Sequence, residues 1–290
     1  MNKNYFYKPY EPKELTLLPC AVCGSRSTHP LADENNLHIV SCASCDYVYV
    51  NPRPSVAALE DFYREYYPPQ EGLADSWGGE MSAIFANIFG YINARYDSGQ
   101  ILDIGSAYGH FLSQFDAQKW FATGVEPSPT ATEYCRSNFP RITTFTSNFE
   151  DADLAAGSFD VVTSFYVVEH VFDPRDFMQR VHHLLKDGGL AVIRIPYTRP
   201  FFPFARLLRR PLMYAPMHLN DFAPAHFERM GREIGFRSVE TTVGTSRNSS
   251  NMVEKLGAAI FGFIGRVYEV FAPSSHPFPY AGAYTYLLRK

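Results

Sequence analysis

The sequence carries no excess of positive charge. Its 26 Lys and Arg residues stand against 30 Asp and Glu residues, which gives a formal net charge of −4. A protein that binds nucleic acid mainly through phosphate contacts needs a basic surface, so this balance argues against such a partner. Internal repeats and low-complexity segments are absent as well, and the 46% hydrophobic and 19% charged fractions are ordinary for a globular protein.

Long apolar runs are also absent. No stretch of about 18 or more uninterrupted apolar residues occurs, so we expect no transmembrane span. Residues 1–10 are polar and aromatic, without the apolar core of a secretory signal peptide. We therefore expect a cytoplasmic protein, and peripheral contact with a membrane is the form of membrane association that stays open.

Cysteine is scarce, yet four of the five cysteines form two closely spaced pairs. Cys20 and Cys23 make one pair, Cys42 and Cys45 make the other, and 18 residues separate the pairs. This spacing is typical of a zinc ribbon in which each pair supplies two thiolates. Two disulfides or a redox dithiol are the alternatives, and a cytosolic location disfavours disulfides. Because four thiolates complete a tetrahedron, we expect a structural Zn²⁺.

The most informative motif is a turn framed by two glycines. A run of apolar residues leads into Asp103, then Gly105 and Gly109 frame the turn around Ser106, and a helical pattern over residues 111–115 follows. This order is typical of the first strand, turn and helix of a doubly wound sheet, whose ligands bind beyond the carboxyl ends of the strands. The glycine spacing differs from the G-x-G-x-x-G fingerprint of dinucleotide sites, so a pyrophosphate loop fits poorly.

A second strand pattern ends in an acid at the expected distance. Glu126 follows Asp103 by 23 residues and is itself followed by Pro127 and Ser128. In doubly wound nucleotide-binding folds, an acid about 20 residues after the first strand accepts hydrogen bonds from ribose hydroxyls. The alternative is that Glu126 caps the helix predicted over residues 128–138, which Ser128 could do equally well.

A third strand pattern covers residues 142–145, and a buried fourth strand is followed by the pair Glu169-His170. Together, these motifs over residues 80–240 resemble the class I methyltransferases that use S-adenosylmethionine (SAM). The resemblance is to the small-molecule type that includes the ubiquinone-biosynthesis O-methyltransferases and many sugar methyltransferases. It implies an α/β fold with a doubly wound, seven-stranded, Rossmann-like sheet. Strand seven, predicted at residues 283–288, would lie antiparallel between strands five and six.

The resemblance also implies which residues contact SAM. Asn148 and Phe149, after the third strand, would border the adenine, and the backbone around Phe165 would flank the cofactor. Packing in the core is the alternative for both phenylalanine side chains. The expected cofactor-binding residues are Asp103, Gly105, Ser106, Gly109, Glu126, Pro127, Asn148, Phe149 and Phe165.

Methyl transfer to a hydroxyl of high pKa needs a general base, and histidine is the usual one. Three residues are candidates. His170 follows the fourth strand, His218 lies in the segment that the family places over the substrate, and Tyr197 ends the fifth strand. A structural histidine that hydrogen-bonds near the cofactor is the alternative for His170.

One position departs from the ubiquinone-type pattern. Those members carry an acid three residues before the Glu of the Glu-His pair, and these side chains can hold a divalent metal. Here that position is Tyr166, which puts a catalytic Mg²⁺ in doubt. Combined with the four-cysteine ribbon, the sequence is closer to methyltransferases that act on nucleotide sugars, polysaccharides or natural products, on oxygen or carbon.

Three other functions compete with this one. A nucleic-acid methyltransferase is disfavoured by the acidic balance. A lipid or quinone methyltransferase at a membrane surface is a stronger rival, because residues 201–210 mix apolar and basic side chains as interfacial segments do. A flexible substrate lid explains the same residues. A SAM-binding module without catalysis is the third alternative.

The chain divides into three predicted parts. We expect the zinc ribbon at residues 1–50, a linker and lead-in helices at 51–98, and the methyltransferase domain at 99–290. Within this last part, we predict a substrate lid at about 197–222 and an inserted helix at about 251–271.

Overall fold

The computed structural model describes residues 10–66, 73–242 and 282–290. The helix predicted at 251–271 lies outside these residues. In the N-terminal part, five short strands alternate with turns. They are β1 (Leu15–Thr16), β2 (Thr28–Glu34), β3 (Leu37–Cys42), β4 (Val48–Val50) and β5 (Arg53–Pro54). β1 pairs with β5, whereas β2, β3 and β4 form an antiparallel sheet whose hairpin turns at Asn35 and Asn36, both with positive φ.

Eight further strands follow along the chain. They are β6 (Gly99–Ile104), β7 (Trp120–Val125), β8 (Thr143–Phe145), β9 (Phe159–Phe165), β10 (Leu185–Pro196), β11 (Asn220–Asp221), β12 (Ser238–Thr242) and β13 (Ala283–Arg289). Seven of them form one sheet in the order β12-β13-β10-β9-β6-β7-β8, in which β13 runs antiparallel to both neighbours. This confirms the predicted seven-stranded Rossmann-like sheet, with strand seven between strands five and six.

β11 does not join the large sheet. It pairs antiparallel with β4 and so becomes the edge of the N-terminal sheet, in the order β11-β4-β3-β2. A stretch of the predicted lid therefore completes the sheet that carries the cysteine pairs.

Six α-helices accompany the strands in the described part of the chain. They are α1 (Val56–Tyr66), α2 (Leu73–Asn93), α3 (Pro129–Asn138), α4 (Pro174–Leu184), α5 (Phe202–Leu207) and α6 (Pro224–Ile234). Side chains cap the N-termini of three of these helices by accepting hydrogen bonds from first-turn N–H groups. Ser55 accepts one such bond from α1, Ser128 accepts one from α3, and Asp173 accepts two from α4. None of the helices described is long and apolar enough to cross a membrane.

Helices cover both faces of the large sheet. α2 packs its buried face, including Met81 and Phe85, on one side, together with Cys135 of α3. α4 and α6 pack on the other side through residues such as Phe177 and Phe227. β6, β9 and β10 are therefore buried on both faces, and this explains why their sequences are nearly continuous apolar runs.

One local prediction was wrong. The helical pattern over 111–115 forms only a short 3-10 helix at Leu112–Gln114, because the chain must reach β7 at Trp120 within a few residues. Its apolar side chains are nevertheless buried. After α4 ends at Leu184, β10 contains an irregularity between Leu185 and Leu190, where Gly188 has φ +78.

Candidate functional site

Asp103 lies near the carboxyl end of β6, in the centre of the large sheet. It is 2% exposed, and its Oδ1 accepts a hydrogen bond of 2.7 Å from the Thr163 hydroxyl of β9. Burial raises the pKa of the Asp103 carboxyl from 3.8 to about 8, against the opposing effect of Thr163. Asp103 therefore holds two central strands together directly below the glycine turn.

The glycine turn requires residues without a side chain at two places. Gly105 has φ +72 and Gly109 has φ +82, a region in which L-residues are strained. A Cβ at Gly105 would collide with Cγ2 of Val167, and one at Gly109 with Sγ of Cys135. Ser106 lies between them, and its buried Oγ has no hydrogen-bond partner in the described structure. Glycine is thus required at both positions by the backbone conformation and by the packing of Val167 and Cys135 against the turn.

Glu126 faces this turn from the end of β7. Its Oε2 accepts from the Ala107 N–H at 3.0 Å and its Oε1 from the Ser128 N–H at 2.9 Å. Burial raises the pKa of Glu126, and the two N–H groups oppose that shift. Each carboxylate oxygen can accept a second hydrogen bond, so the pair of ribose hydroxyls expected here has acceptors. The exposed Pro127 follows.

The structure also shows the alternative role that the sequence left open for Glu126. Ser128 is the N-cap of α3, since its Oγ accepts from the Ala131 N–H at 3.3 Å. Glu126 meanwhile binds the backbone N–H of the capping residue. Helix capping and a ribose contact are compatible because they use different lone pairs of the same carboxylate.

The three remaining cofactor candidates differ in exposure. Asn148 donates through Nδ2 to Glu60 Oε1 of α1 at 2.8 Å, near the surface. The Phe149 ring is buried, with its centroid 5.0 Å from that of Phe177. The Phe165 ring is buried 4.8 Å from Phe111. Both phenylalanine side chains therefore pack in the core, which leaves their backbones as the groups that can border a ligand.

His170 and His218 come together beyond β9, with ring centroids 5.0 Å apart. His170 Nδ1 lies 2.6 Å from the Met217 carbonyl oxygen. Because a carbonyl only accepts, Nδ1 carries the hydrogen, and Nε2 of the neutral ring keeps its lone pair. That Nε2 is 3.8 Å from Oε1 of the buried Glu169. The Glu169 carboxylate therefore lies beside the imidazole nitrogen that accepts a hydrogen in the neutral ring.

The same three residues could hold a cation. One donor atom from each of Glu169, His170 and His218 lies within 4.8 Å of the others. Two imidazoles and a carboxylate suit divalent transition metals. A histidine that donates its other ring N–H to a backbone carbonyl, as His170 does to Met217, has the usual arrangement of a metal ligand.

Tyr197 follows β10 at its carboxyl end. Its ring centroid lies 5.3 Å from that of Tyr284, and its N–H donates to the Gly282 carbonyl at 3.1 Å. Burial, followed by the charge of Asp221, raises the pKa of the Tyr197 phenol. The phenol therefore stays protonated at neutral pH, which makes Tyr197 a less suitable base than either histidine.

Asn220 is a site residue that the sequence did not reveal. It is 2% exposed, and its Nδ2 donates to the carbonyls of Val168 at 3.2 Å and Val171 at 2.8 Å. Its N–H donates to the Glu169 carbonyl at 3.1 Å. Asn220 thereby holds the backbone of the loop that carries Glu169 and His170. No local sequence pattern predicts this role, because the loop that carries Glu169 and His170 lies about 50 residues earlier in the chain.

The four cysteines predicted to bind zinc converge in the N-terminal sheet. Sγ of Cys20 is 3.6 Å from Sγ of Cys45, and Sγ of Cys23 is 3.5 Å from Sγ of Cys42. A tetrahedron with Zn–S bonds of about 2.3 Å has sulfur–sulfur edges of about 3.8 Å, so the cluster fits Zn²⁺. All four are free thiols, whereas a disulfide would need a sulfur–sulfur distance of about 2.05 Å.

The turns that carry these cysteines are fastened to the helices of the large sheet. Arg175 of α4 donates to the carbonyls of Ala21 at 2.6 Å and Val22 at 2.7 Å. His226 of α6 places Nε2 2.6 Å from the Cys45 carbonyl. The cysteine cluster is therefore integrated with the α/β part of the molecule.

Comparisons with known proteins agree with this geometry. Residues 78–241 match the methyltransferase domain family. The biotin biosynthesis bifunctional protein of Cellvibrio japonicus is 22% identical over 185 residues, which are 59% of this chain and 37% of that protein. A probable S-adenosylmethionine-dependent methyltransferase of Mycobacterium tuberculosis is 31% identical over 135 residues, 47% of each chain. The matches thus span less than half of either relative.

Among solved structures, phosphoethanolamine N-methyltransferase 2 of Haemonchus contortus in complex with S-adenosyl-L-methionine superposes with a TM-score of 0.54. Its sequence identity is 16%, and the match covers 84% of this chain and 62% of that one. At that identity the similarity concerns the fold alone. The family match covers more than half of the 290 residues. The chain therefore belongs to the methyltransferase domain family.

Proposed function

We propose that the protein is a SAM-dependent methyltransferase that acts on a small-molecule or sugar acceptor. The observation that carries the proposal is the position of Glu126, whose partly buried carboxylate faces the glycine turn and accepts a hydrogen bond from the Ala107 N–H. Gly105 and Gly109 give the turn its positive-φ backbone, with Val167 and Cys135 packed against it. These residues fit the ribose and amino-acid parts of SAM.

SAM supplies an electrophilic methyl group when bound, and the residues of the chain supply positioning and proton transfer. His170 Nε2 accepts the proton of the acceptor hydroxyl as the oxygen takes the methyl group. The Nδ1–H hydrogen bond to Met217 keeps the ring in the tautomer and orientation that this step needs. His218, whose ring centroid lies 5.0 Å from that of His170, binds the acceptor or relays the proton.

The buried Glu169 supports this role of His170. A carboxylate Oε1 at 3.8 Å from Nε2 stabilises the imidazolium that forms once the proton has arrived. An oxygen acceptor of high pKa, such as a sugar hydroxyl, gains most from this arrangement. A carbon acceptor would use the same nitrogen to remove a proton from carbon. A nucleotide sugar, polysaccharide or natural product is thus the proposed acceptor class.

The four-cysteine cluster is proposed as a structural Zn²⁺ site. Four thiolates leave no open coordination position for a substrate or water. Its place beside β11, whose first residue is Asn220, lets the metal stabilise the sheet that supports the histidine loop.

The test is methyl transfer from radiolabelled SAM to pools of nucleotide sugars, other small molecules and lipids. We expect His170→Ala to reduce turnover by about 10²–10⁴-fold while SAM affinity stays nearly unchanged. His218→Ala should also reduce turnover. His183→Ala, which changes an exposed histidine on α4, is the matched control and should retain full activity. Full activity of both site variants would exclude a histidine base, and absence of any labelled product would favour a non-catalytic SAM-binding module.

A further inference from the structure

Residues 199–214 form a surface segment that combines exposed apolar and basic side chains. Phe204 is 60% exposed, Leu207 79% and Leu208 68%. Phe201 and Tyr214 are also among the exposed large hydrophobic residues. Five of the eight such residues in the described structure thus fall in this one short segment. A concentration of this kind marks an interaction site rather than the scattered exposure of ordinary surfaces.

The charge of the same segment has one sign. It contains four arginines, and residues 198–220 include no Asp or Glu, although the whole chain has a net charge of −4. Arg206, Arg209 and Arg210 are exposed and directly flank Leu207 and Leu208. The surface therefore presents apolar side chains and guanidinium groups side by side.

The segment is anchored firmly on its inner side. Phe202, Leu212 and Met213 pack in a buried cluster with residues of β3 and β4. The carboxylate of Glu34 accepts hydrogen bonds from three backbone N–H groups. They belong to Leu212, to Met213 at 3.3 Å and to Ala215 at 3.2 Å. Its inner side chains are thus already used in packing. The outward ones cannot simply turn inward to close a pocket, so their exposure is built into the fold.

We propose that residues 199–214 dock the protein onto a membrane surface that contains anionic lipids. Phe204, Leu207 and Leu208 would enter the boundary between headgroups and acyl chains, while the arginines bind lipid phosphates in the bidentate manner of guanidinium groups. Burying leucine-sized side chains and placing basic ones near an anionic surface are the two contributions that interfacial segments combine.

Charge complementarity favours an anionic membrane over two other occupants, a second copy of the chain and a different protein. In a two-fold contact with a second copy, the arginines of one chain would face those of the other, and like charges would repel. A contact with another protein would need an acidic patch matched in position to Arg206, Arg209 and Arg210, which flank Leu207 and Leu208. An anionic bilayer buries the apolar side chains and supplies phosphates that bind the arginines.

The docking surface continues directly into the candidate site. Tyr214 is followed after two residues by Met217, whose carbonyl oxygen binds His170, and then by His218. A membrane bound at residues 199–214 would therefore lie next to the segment that carries His218. The proposal concerns binding alone and holds whether or not the proposed methyl transfer is found.

The test is co-sedimentation of the full chain with phosphatidylcholine vesicles, with and without phosphatidylglycerol. We expect binding to the anionic vesicles only, weakened by added salt because the arginine contribution is screened. Arg209→Gln with Arg210→Gln should weaken the partition coefficient by roughly 30-fold, at about 1 kcal/mol for each arginine. Leu207→Ser with Leu208→Ser should weaken it by at least about tenfold.

Matched controls change equally exposed residues elsewhere. Phe121→Ser, at a side chain that is 76% exposed on β7, and Arg141→Gln, at another exposed arginine, should bind vesicles like the wild type. SAM affinity measured on every variant reports folding separately from docking. Absence of binding to anionic vesicles, or unchanged binding in both double variants, would overturn the proposal. Self-association that the double variants abolish, without vesicle binding, would overturn it in favour of a second copy.

Discussion

The hydroxyl of Tyr47 donates a hydrogen bond of 2.6 Å to Oδ1 of Asn220, and both residues are buried. Tyr47 directly precedes β4 in the N-terminal sheet, whereas Asn220 binds the carbonyls of Val168 and Val171 around His170. A single amide thus connects the cysteine-bearing sheet to the candidate catalytic loop. Through this contact, a metal bound by the four cysteines would support the loop of the candidate site.

Asn220→Ala should therefore affect the loop more than the cofactor site. The change leaves the Tyr47 hydroxyl and two carbonyls buried without their partner, which costs about 2–4 kcal/mol in the free energy of unfolding. We expect turnover to fall at least about tenfold while SAM affinity stays within a factor of about two. Urea unfolding, steady-state kinetics and calorimetry measure these quantities.

Tyr47→Phe is the matched control for Asn220→Ala, because it removes one hydrogen bond and leaves the two carbonyl contacts intact. It should cost only about 1 kcal/mol and retain most of the turnover. If the folded Asn220→Ala protein kept wild-type turnover, the loop would not depend on this amide.

Glu126→Ala should weaken SAM binding by roughly 1–3 kcal/mol, since a charged hydrogen-bond acceptor is lost. The carboxylate also binds the Ala107 and Ser128 N–H groups, so part of the loss comes from a looser turn. Glu126→Gln keeps one acceptor oxygen and should lie between the wild type and Glu126→Ala. Calorimetric titration with SAM gives the three affinities, and equal values would count against this cofactor site.

Cys42→Ser should lower the zinc content to well below one ion per chain and destabilise the N-terminal sheet. Binding of the metal and folding of such a cluster are one event, so a chelator should produce the same destabilisation in the wild type. Cys135→Ala is the control, because Cys135 is buried outside the cluster and should leave the zinc content unchanged. Elemental analysis and thermal unfolding measure both effects, and wild-type protein without zinc would disprove the site.

Asp103 should make the stability of the ligand-free protein fall as pH rises. Its pKa is about 8 in the folded state against an ordinary 3.8, so between these values the native chain holds a proton that the unfolded chain has released. Stability then decreases with pH, by at most about 1.4 kcal/mol per pH unit. Asp103→Asn removes this slope. Urea unfolding between pH 5 and 8 tests it, and parallel curves for the two proteins would contradict the assignment.

The sequence alone identified those features whose residues lie close together in the chain. Asp103 and the two glycines form a continuous strand and turn, and the cysteine pairs have the spacing that one metal requires. The positions of the strands followed from their apolar patterns, and their order in the sheet followed from the resemblance to a known fold. These features were predictable because backbone sterics and covalent spacing determine them locally.

Tertiary structure decided what depends on distant segments. His170 and His218 are brought together by contacts between distant segments: the His170 ring binds the Met217 carbonyl oxygen, and the Leu219 and Asn220 N–H groups donate to the Glu169 carbonyl. The pattern at 111–115 reads as a helix, but the need to reach β7 shortened it. The exposure of Leu207 also depends on which face of its segment packs on the N-terminal sheet. Such outcomes depend on competition among long-range contacts for the same surfaces, which no local pattern records.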